Sequence, residues 1–117
     1  RVAGDIGKTK VYGDSNGDLL ILGWGGTYGA CRSSAETLRE QNYKVSHVHL
    51  RWINPFPSDL KSILSKFKHV LIPEINMGQL IKLIRSEFLV DAKGLNLVRG
   101  KPIGAPVITE KVKEIIG

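Results

Sequence analysis

Hydrophobic and polar positions follow two alternating patterns along this chain. Short, continuous apolar runs, typical of strands buried on both faces of a parallel sheet, lie at 19–24 and 69–73. Each run is followed by a segment whose apolar residues recur every three or four positions, the spacing of an amphipathic helix. The whole pattern predicts strands at 10–12, 19–24, 44–50, 69–73 and 95–98, and helices at 28–41, 58–67, 80–88 and 109–116.

Strands that alternate with helices predict an α/β fold, with a mostly parallel sheet, right-handed crossovers and helices on both faces. The 117 residues suffice for one compact domain with one core. We assign residues 1–9, which are polar and rich in glycine, to a linker and residues 10–117 to the domain. Because the sequence starts without methionine, we expect a fragment of a longer chain.

Residues that can cap helices predict where the helices begin. Thr27 is a plausible N-cap for the first helix, although a capping box of Ser33 and Glu36 would start that helix later. We prefer the earlier start. Ser58 is expected to cap the second helix and Thr109 the last, after an extended loop at 100–106.

The first parallel strand ends in a glycine-rich turn, GWGGTYG, at 23–29. A turn of this kind before a helix can bring backbone N–H groups close to an anion. The dinucleotide fingerprint G-x-G-x-x-G would need glycine where Tyr28 stands, and the acid expected after the next strand is replaced by Arg51. We favour a structural turn or a phosphate contact within a larger assembly, and an NADP site stays open because Arg51 suits a 2′-phosphate. Candidate interface or anion-binding residues here are Trp24, Gly25, Gly26 and Thr27.

A second candidate segment, RWINPFP, spans 51–57 at the end of the predicted strand 44–50. Its two prolines exclude regular structure, so the two aromatic residues sit in a stiff loop. Ligands of open α/β sheets bind at this end of the strands. A subunit contact with an anion-facing Arg51 and a loop folded over its own helix remain equal alternatives; the candidate residues are Arg51, Asn54 and Pro55.

The third segment, EINMGQ, spans 74–79 and supplies the candidates Glu74, Asn76, Gly78 and Gln79. A carboxylate in such a turn could act as an acid or base, but no partner residue is evident. Helix capping by Asn76 and salt bridging by Glu74 are the preferred interpretations. Neither a nucleophile elbow nor a P-loop is present in the sequence, so we expect no catalytic residue in this chain.

The chain carries 17 Lys and Arg against 11 Asp and Glu, a formal net charge of +6. These basic residues are dispersed without a run of three, whereas a nucleic-acid footprint is usually clustered and interleaved with stacking aromatics, so we do not expect nucleic acid as a partner. No apolar run approaches the roughly 18–20 residues of a membrane span, and the first ten residues lack a secretory apolar region. We therefore expect a cytoplasmic protein with no membrane partner.

Cysteine and histidine are too few for a metal centre. The single cysteine, Cys31, cannot form an internal disulfide and falls on an apolar helix face, which favours a buried structural thiol in a reducing compartment. Three histidines and one cysteine show no metal-ligand spacing, so no metal residues are predicted.

Three segments in this order, GDLLILGWGGTYG at 17–29, RWINPFP at 51–57 and PEINMGQ at 73–79 followed by LIKLIR, resemble the 2-oxoacid:ferredoxin oxidoreductase family. The resemblance is to the C-terminal, transketolase C-terminal-like domain of the α subunit, in particular that of 2-oxoglutarate:ferredoxin oxidoreductases. It covers residue 10 to the end. It implies a three-layer α/β/α sandwich with five strands in the order 1-3-2-4-5, the first antiparallel to the others.

The resemblance also implies a function. The parent enzyme would decarboxylate 2-oxoglutarate or a similar 2-oxoacid oxidatively to an acyl-CoA and reduce ferredoxin, with thiamine diphosphate, Mg2+ and an iron–sulfur cluster as cofactors and CoA as co-substrate. One cysteine cannot ligate a cluster, which takes about four thiolates. In the family those parts lie in the other α domains and the β subunit.

The resemblance thus implies an accessory domain that is inactive alone, holds no cofactor, and packs on the other α domains and the β subunit, with ferredoxin as partner of the holoenzyme. The loops at 24–29, 51–57 and 74–79 would face those partners. A small nucleotide- or CoA-binding Rossmann-like module is the alternative.

Overall fold

The computed structural model describes residues 11–14, 16–24, 28–50, 59–74, 79–88, 92–96 and 105–116. The strands are β1 (Val11–Tyr12), β2 (Gly17–Trp24), β3 (Val45–Leu50), β4 (Phe67–Glu74) and β5 (Lys93–Asn96). The helices are α1 (Tyr28–Glu40), α2 (Leu60–Leu64), α3 (Gln79–Phe88) and α4 (Ala105–Ile116). None of these described helices has the length and apolar character needed to cross a lipid bilayer.

The five strands form one sheet in the order β1-β3-β2-β4-β5. Strand β1 runs antiparallel to β3, and the other three pairings are parallel. This arrangement confirms the predicted α/β class, the strand order and the antiparallel first strand.

Strand β2 lies at the centre of the sheet, and its residues separate two cores. Leu20 and Leu22 belong to the α2–α3 core, which lies between the sheet and helices α2 and α3. Leu19 and Ile21 belong to the α1–α4 core on the opposite face, with Cys31. All four β2 residues and Cys31 are 0% exposed, which explains the continuous apolar run and confirms the buried thiol. Burial of each leucine side chain stabilises the fold by about 1.5–3 kcal/mol.

Helix α1 ends in a left-handed turn that leads the chain into β3. Asn42 has a φ of 70°, and asparagine tolerates this region better than most residues. The Tyr43 N–H donates to the Leu38 carbonyl at 3.0 Å, which satisfies one of the acceptors at the helix end.

Several predicted boundaries were wrong. Phe67 was assigned to the second helix, but it starts β4, because β4 pairs with β2 from Gly17 onward and Phe67 faces that residue. Helix α2 stops at Leu64, and the Lys66 N–H closes a turn on the Ile63 carbonyl at 3.1 Å. The position of Phe67, three residues after Leu64, suits either a helix or a strand. The pairing of Phe67 with Gly17 of β2 selects the strand.

The last helix and the last strand also begin earlier than predicted. Helix α4 begins at Ala105, so Thr109 lies inside the helix and is not its cap. The Thr109 hydroxyl lies 2.8 Å from the hydroxyl of Ser34 on α1. Proline is tolerated in the first helical turn, which is why Pro106 belongs to the helix and not to the predicted loop. Strand β5 starts at Lys93, two residues before the predicted Leu95.

The early start of the first helix is confirmed, since α1 begins at Tyr28 and contains Ser33 and Glu36. Asp59 occupies the N-cap position of α2 without a side-chain capping bond. The predicted caps Thr27 and Ser58 and the predicted linker 1–9 lie outside the described residues.

Candidate functional site

The carboxyl ends of four parallel strands meet at one edge of the sheet, called the exit edge here. Trp24 at the end of β2 lies opposite Leu50 at the end of β3, and Glu74 at the end of β4 lies opposite Asn96 at the end of β5. Strands β2 and β4 are parallel neighbours. The three segments that the sequence analysis singled out therefore begin at, or directly follow, the same edge, where ligands and partners of open α/β sheets bind.

The structure describes few of the candidate residues at this edge. Trp24 is half-buried and packs against the α2–α3 core. Glu74 ends β4 and Gln79 begins α3, and the backbone alone is described for these two. Outside the described residues lie Gly25, Gly26, Thr27, Arg51, Asn54, Pro55, Asn76 and Gly78. The role of all eleven residues stays a prediction.

A group of five side chains that the sequence analysis did not single out gathers beside this edge, on the α1 side of the sheet. We call Tyr12 of β1, Tyr28 and Arg32 of α1, and His47 and His49 of β3 the aromatic cluster. The two histidines are two residues apart on a strand and share a face. Tyr28 and Arg32 are four residues apart on a helix, and Tyr12 is paired with His47 across the antiparallel ladder.

The rings of the aromatic cluster touch one another in a continuous set. The Tyr12 and His47 rings stack with centroids 5.5 Å apart and planes at 22°. The Tyr28 ring stands edge-on to His49 at 5.1 Å and also contacts His47 at 5.8 Å. Offset stacked and edge-on geometries of this kind are the favourable ones for aromatic pairs.

Arg32 closes the solvent side of the aromatic cluster. Its Nη1 donates to the Tyr28 hydroxyl at 2.9 Å, and its guanidinium carbon lies 5.4 Å from the centre of the Tyr12 ring. Its Nε also donates to Glu36 at 3.3 Å. The hydrogen bond to Tyr28, followed by the one to Glu36, raises the pKa of Arg32, so the guanidinium stays charged.

His47 is the electrostatically unusual member. It is 0% exposed, and neither ring nitrogen has a hydrogen-bond partner among the described residues. Burial lowers the pKa of His47 from 6.5 to about 4, with smaller contributions from His49 and then Arg32. His47 is therefore neutral at pH 7 and cannot serve there as a cationic ligand for an anion.

The described residues do not fit a metal ion or an iron–sulfur cluster. No group of three or more His, Cys, Asp or Glu in this part of the chain could hold a metal. The described recesses lie at the opposite edge of the sheet: one of about 390 Å3 is lined by Gly17, Lys44 and Lys66 among others, and one of about 790 Å3 by Arg39 and Tyr43 among others. The described candidates Trp24 and Glu74 end their strands at the other edge of the sheet.

The pattern VSHVHL could have directed attention to the aromatic cluster, because it puts two histidines on one strand face. The position of Tyr12 could not have been anticipated, since it depends on the register of a two-residue strand.

Comparison with known proteins gave consistent matches. The family model "Pyruvate:ferredoxin oxidoreductase core domain II" matches residues 17–105. The 2-oxoglutarate oxidoreductase subunit KorA of Mycobacterium tuberculosis is 40% identical over 89 residues, which is 74% of this chain and 14% of the relative. Subunit alpha of 2-oxoacid:ferredoxin oxidoreductase 1 from Aeropyrum pernix is 29% identical over 114 residues, which is 93% of this chain and 18% of the relative.

Solved structures extend the similarity to the fold. The 2-oxoglutarate:ferredoxin oxidoreductase from Magnetococcus marinus, with 2-oxoglutarate, coenzyme A and succinyl-CoA bound, superposes with a TM-score of 0.86 at 29% identity, over 94% of this chain and 20% of that chain. A split-gene transketolase shares the fold, with a TM-score of 0.71 at 16% identity, over 94% of this chain and 41% of that chain. The chain spans 14% to 20% of the length of the three oxidoreductase relatives.

Proposed function

This chain belongs to the pyruvate:ferredoxin oxidoreductase core domain II family, and from that premise we propose that it is an accessory domain of a 2-oxoacid:ferredoxin oxidoreductase α subunit. The family and the α-subunit resemblance expected from the three segments are confirmed by the match to residues 17–105 and by relatives that are oxidoreductase α subunits. The accessory role, the partners and the parent reaction are our proposals.

The parent enzyme would convert a 2-oxoacid such as 2-oxoglutarate and CoA into an acyl-CoA and carbon dioxide, and pass two electrons to ferredoxin. Support comes from the names of the relatives and from the ligands bound to the Magnetococcus marinus enzyme. We propose that thiamine diphosphate, Mg2+ and the iron–sulfur cluster are held by other domains; for the two metal groups this is supported by the described residues, which contain no cluster of ligands for a metal ion. We place the enzyme in the cytoplasm.

The observation that carries the accessory role is the exit edge. Two neighbouring parallel strands, β2 and β4, end there, and each leads into one of the segments on which the family resemblance rests. In the aromatic cluster beside that edge, the ring nitrogens of His47 have no hydrogen-bond partner among the described residues, so His47 is not joined there to a second group that could take or give its proton. An edge of this kind suits contact with another polypeptide, and we propose the other α domains and the β subunit as that contact.

The test uses the complete α and β subunits expressed together. We expect a variant with Arg51→Ala, Asn54→Ala and Gln79→Ala to assemble at least about tenfold less tightly, since buried polar contacts at interfaces commonly contribute more than 1 kcal/mol each. Assembly would be followed by light scattering, and turnover by 2-oxoacid-dependent reduction of a viologen dye. The matched control is Lys61→Ala, Ser62→Ala and Ser65→Ala, three exposed positions at α2.

Two outcomes would contradict the accessory role. One is normal assembly of the exit-edge variant with loss of turnover, which would make these residues catalytic. The other is turnover by the isolated chain when it is mixed with thiamine diphosphate, Mg2+ and 2-oxoglutarate.

The second candidate function is binding of CoA or a nucleotide at the glycine-rich turn, with Arg51 as the anion contact. It is favoured by the CoA bound to the Magnetococcus marinus relative. Calorimetry of this chain with CoA, NADP and NAD separates the two candidates. Binding with a Kd below about 100 μM that is lost in the Arg51→Ala variant would favour this second function.

A further inference from the structure

The attachment of β1 to the sheet depends on very few residues. In the described part of the chain, which begins at residue 11, strand β1 has two residues and pairs only with β3, at the outer edge of the sheet. Two-residue pairing contributes little stability by itself. Most of the attachment must therefore come from the side chains of β1 and of the turn that follows it.

On one face of the sheet, β1 and the turn after it are held by an aliphatic contact and by a hydrogen bond between two groups that do not titrate. This part of the attachment is therefore independent of pH. Val11 packs against the α2–α3 core. The buried Ser46 hydroxyl donates to the Asp14 carbonyl at 2.7 Å and holds the turn after β1. Gly13 has a φ of +121° there, and a Cβ at that position would come within 2.7 Å of the same hydroxyl. The turn therefore fits the sheet only with glycine at position 13.

On the other face the attachment is the aromatic cluster. The Tyr12 ring contacts His47, Tyr28 and Arg32 at centroid distances between 5.4 and 6.1 Å. The groups that face His47 are Tyr12 from β1, Tyr28 and Arg32 from α1, and His49 from β3, while Ile21, its partner on β2, is apolar. The charged and titratable residues in that set include no carboxylate that could compensate an imidazolium.

When His47 takes a proton, its charge is stabilised better by water than by these neighbours. Protonation therefore shifts the equilibrium toward any state in which the His47 ring is exposed to water. The cover on the inner side is the central strand β2 and helix α1, whose loss would unfold the domain. On the outer side, the described cover is the ring of Tyr12, on a two-residue strand, with the Arg32 guanidinium over that ring. Local opening follows the path with the fewest buried contacts, so release of β1 is the smallest motion that hydrates His47.

We propose that the aromatic cluster is a proton-released latch, which holds β1 on the sheet while His47 is neutral and frees β1 when His47 takes a proton. The other four strands stay folded in the released state. This device is independent of the proposed function, because it concerns only residues within the domain.

The expected effect follows from linkage. In the released state His47 titrates near its ordinary pKa of 6.5, and in the docked state it resists protonation down to about 4. The equilibrium between docked and released β1 therefore shifts toward release by about tenfold for each pH unit between these values, or roughly 300-fold in all.

Native-state hydrogen exchange of the 117-residue chain, followed by NMR from pH 7.5 to 4.5, tests the proposal. Every second amide of an edge strand donates to its neighbour, so the hydrogen-bonded amide of the pair Val11 and Tyr12 is compared with core amides such as Leu20 and Leu71, after correction for the intrinsic pH dependence of exchange. We expect this β1 amide to exchange through an opening that is smaller than global unfolding and has little dependence on urea, and its protection to fall about tenfold per pH unit below 6.5.

The His47→Phe variant keeps a ring beside Tyr12 and removes the titrating group. We expect the pH slope of the β1 amide to vanish in this variant and to persist in the control His69→Phe, which removes an imidazole from β4. Should His47→Phe fail to fold, Tyr12→Ala supplies an independent measurement. In Tyr12→Ala, NMR titration should show the His47 pKa returning from about 4 toward 6.5.

Three results would overturn the latch. The first is exchange of the β1 amide only through global unfolding. The second is a local opening without pH slope, or with the same slope in His47→Phe as in the unchanged chain. The third is an unaltered His47 titration in Tyr12→Ala.

Discussion

The two faces of the sheet are built from different kinds of contact. The buried side chains of the α2–α3 core are aliphatic apart from Phe67. The opposite face contains the α1–α4 core, where a hydroxyl pair joins Ser34 to Thr109, and beside it the aromatic cluster with the buried His47. The first face is stabilised chiefly by burial of aliphatic side chains, whereas the second is also sensitive to proton binding at His47.

The largest expected effect comes from opening a cavity in the aliphatic face. Leu22→Ala removes a side chain that is 0% exposed in the α2–α3 core. We expect the free energy of unfolding to fall by about 3–5 kcal/mol, because the lost burial and the residual cavity add. Urea denaturation followed by circular dichroism measures it. The decrease should be the same at pH 7.5 and pH 5.5, and a pH-dependent decrease would show that the two faces are not independent.

Acid should destabilise the second face specifically. Above pH 6.5 His47 is neutral in both the folded and the unfolded chain. As the pH falls from 6.5 to about 4, the unfolded chain binds a proton that the folded chain rejects. As long as β1 stays docked, the free energy of unfolding therefore falls with decreasing pH, by up to about 3 kcal/mol at pH 4, and recovers as the pH rises; release of β1 ends the fall earlier.

Urea denaturation at a series of pH values measures this slope. The His47→Phe variant should lose the His47 contribution, while Leu22→Ala should keep it. A slope that is unchanged in His47→Phe would assign the acid sensitivity to other groups.

A smaller effect is expected at the junction of α1 and α4. Ser34→Ala leaves the Thr109 hydroxyl without its 2.8 Å partner in a partly buried position. We expect a loss of about 1 kcal/mol in the free energy of unfolding. The double variant with Thr109→Val should lose less than the sum of the two single variants, because neither hydroxyl is then left unsatisfied. Additive losses in this double-mutant cycle would mean that the two hydroxyls do not interact.

The smallest effect is expected at the surface of the aromatic cluster. The ion pair of Arg32 with Glu36 is exposed on both sides, at 48% and 56% of the side-chain area. Exposed pairs of this kind contribute little, since water screens them. Glu36→Gln should leave the melting temperature unchanged within error in differential scanning calorimetry, while Arg32 keeps its bond to Tyr28. A large drop would indicate that Glu36 orients Arg32 over the Tyr12 ring.

The aliphatic face could be predicted well from the sequence, because its signal is local. The run Leu19–Leu22 identifies a central strand by itself, and the exit edge follows once alternating strands and helices indicate a parallel sheet. The errors fall where a tertiary contact decides between two local solutions. Phe67 suits either a helix or a strand, and its pairing with Gly17 selects the strand. Thr109 suits a helix cap, but its hydroxyl is used by Ser34.

The second face was missed for a related reason. Tyr12 and His47 are far apart in the sequence, and only the antiparallel register of β1 brings their rings together. A polar residue in a strand is usually predicted to face solvent, because burial of a polar group without a hydrogen bond costs free energy. No pattern in the neighbouring sequence indicates that His47 is buried without a hydrogen-bond partner in the described part of the chain. Eight of the eleven candidate residues lie outside the described residues, so their roles stay predictions that the assembly experiment begins to test.

The antiparallel sense of β1 has a practical consequence. Val11 is paired with Val48 and Tyr12 with His47, so β1 starts toward the carboxyl end of β3 and runs away from it. The polypeptide thus comes into the sheet from the same side on which Trp24 and Glu74 end their strands. A peptide inserted at the Asn42 turn would emerge on the opposite side and leave the exit edge accessible for binding measurements.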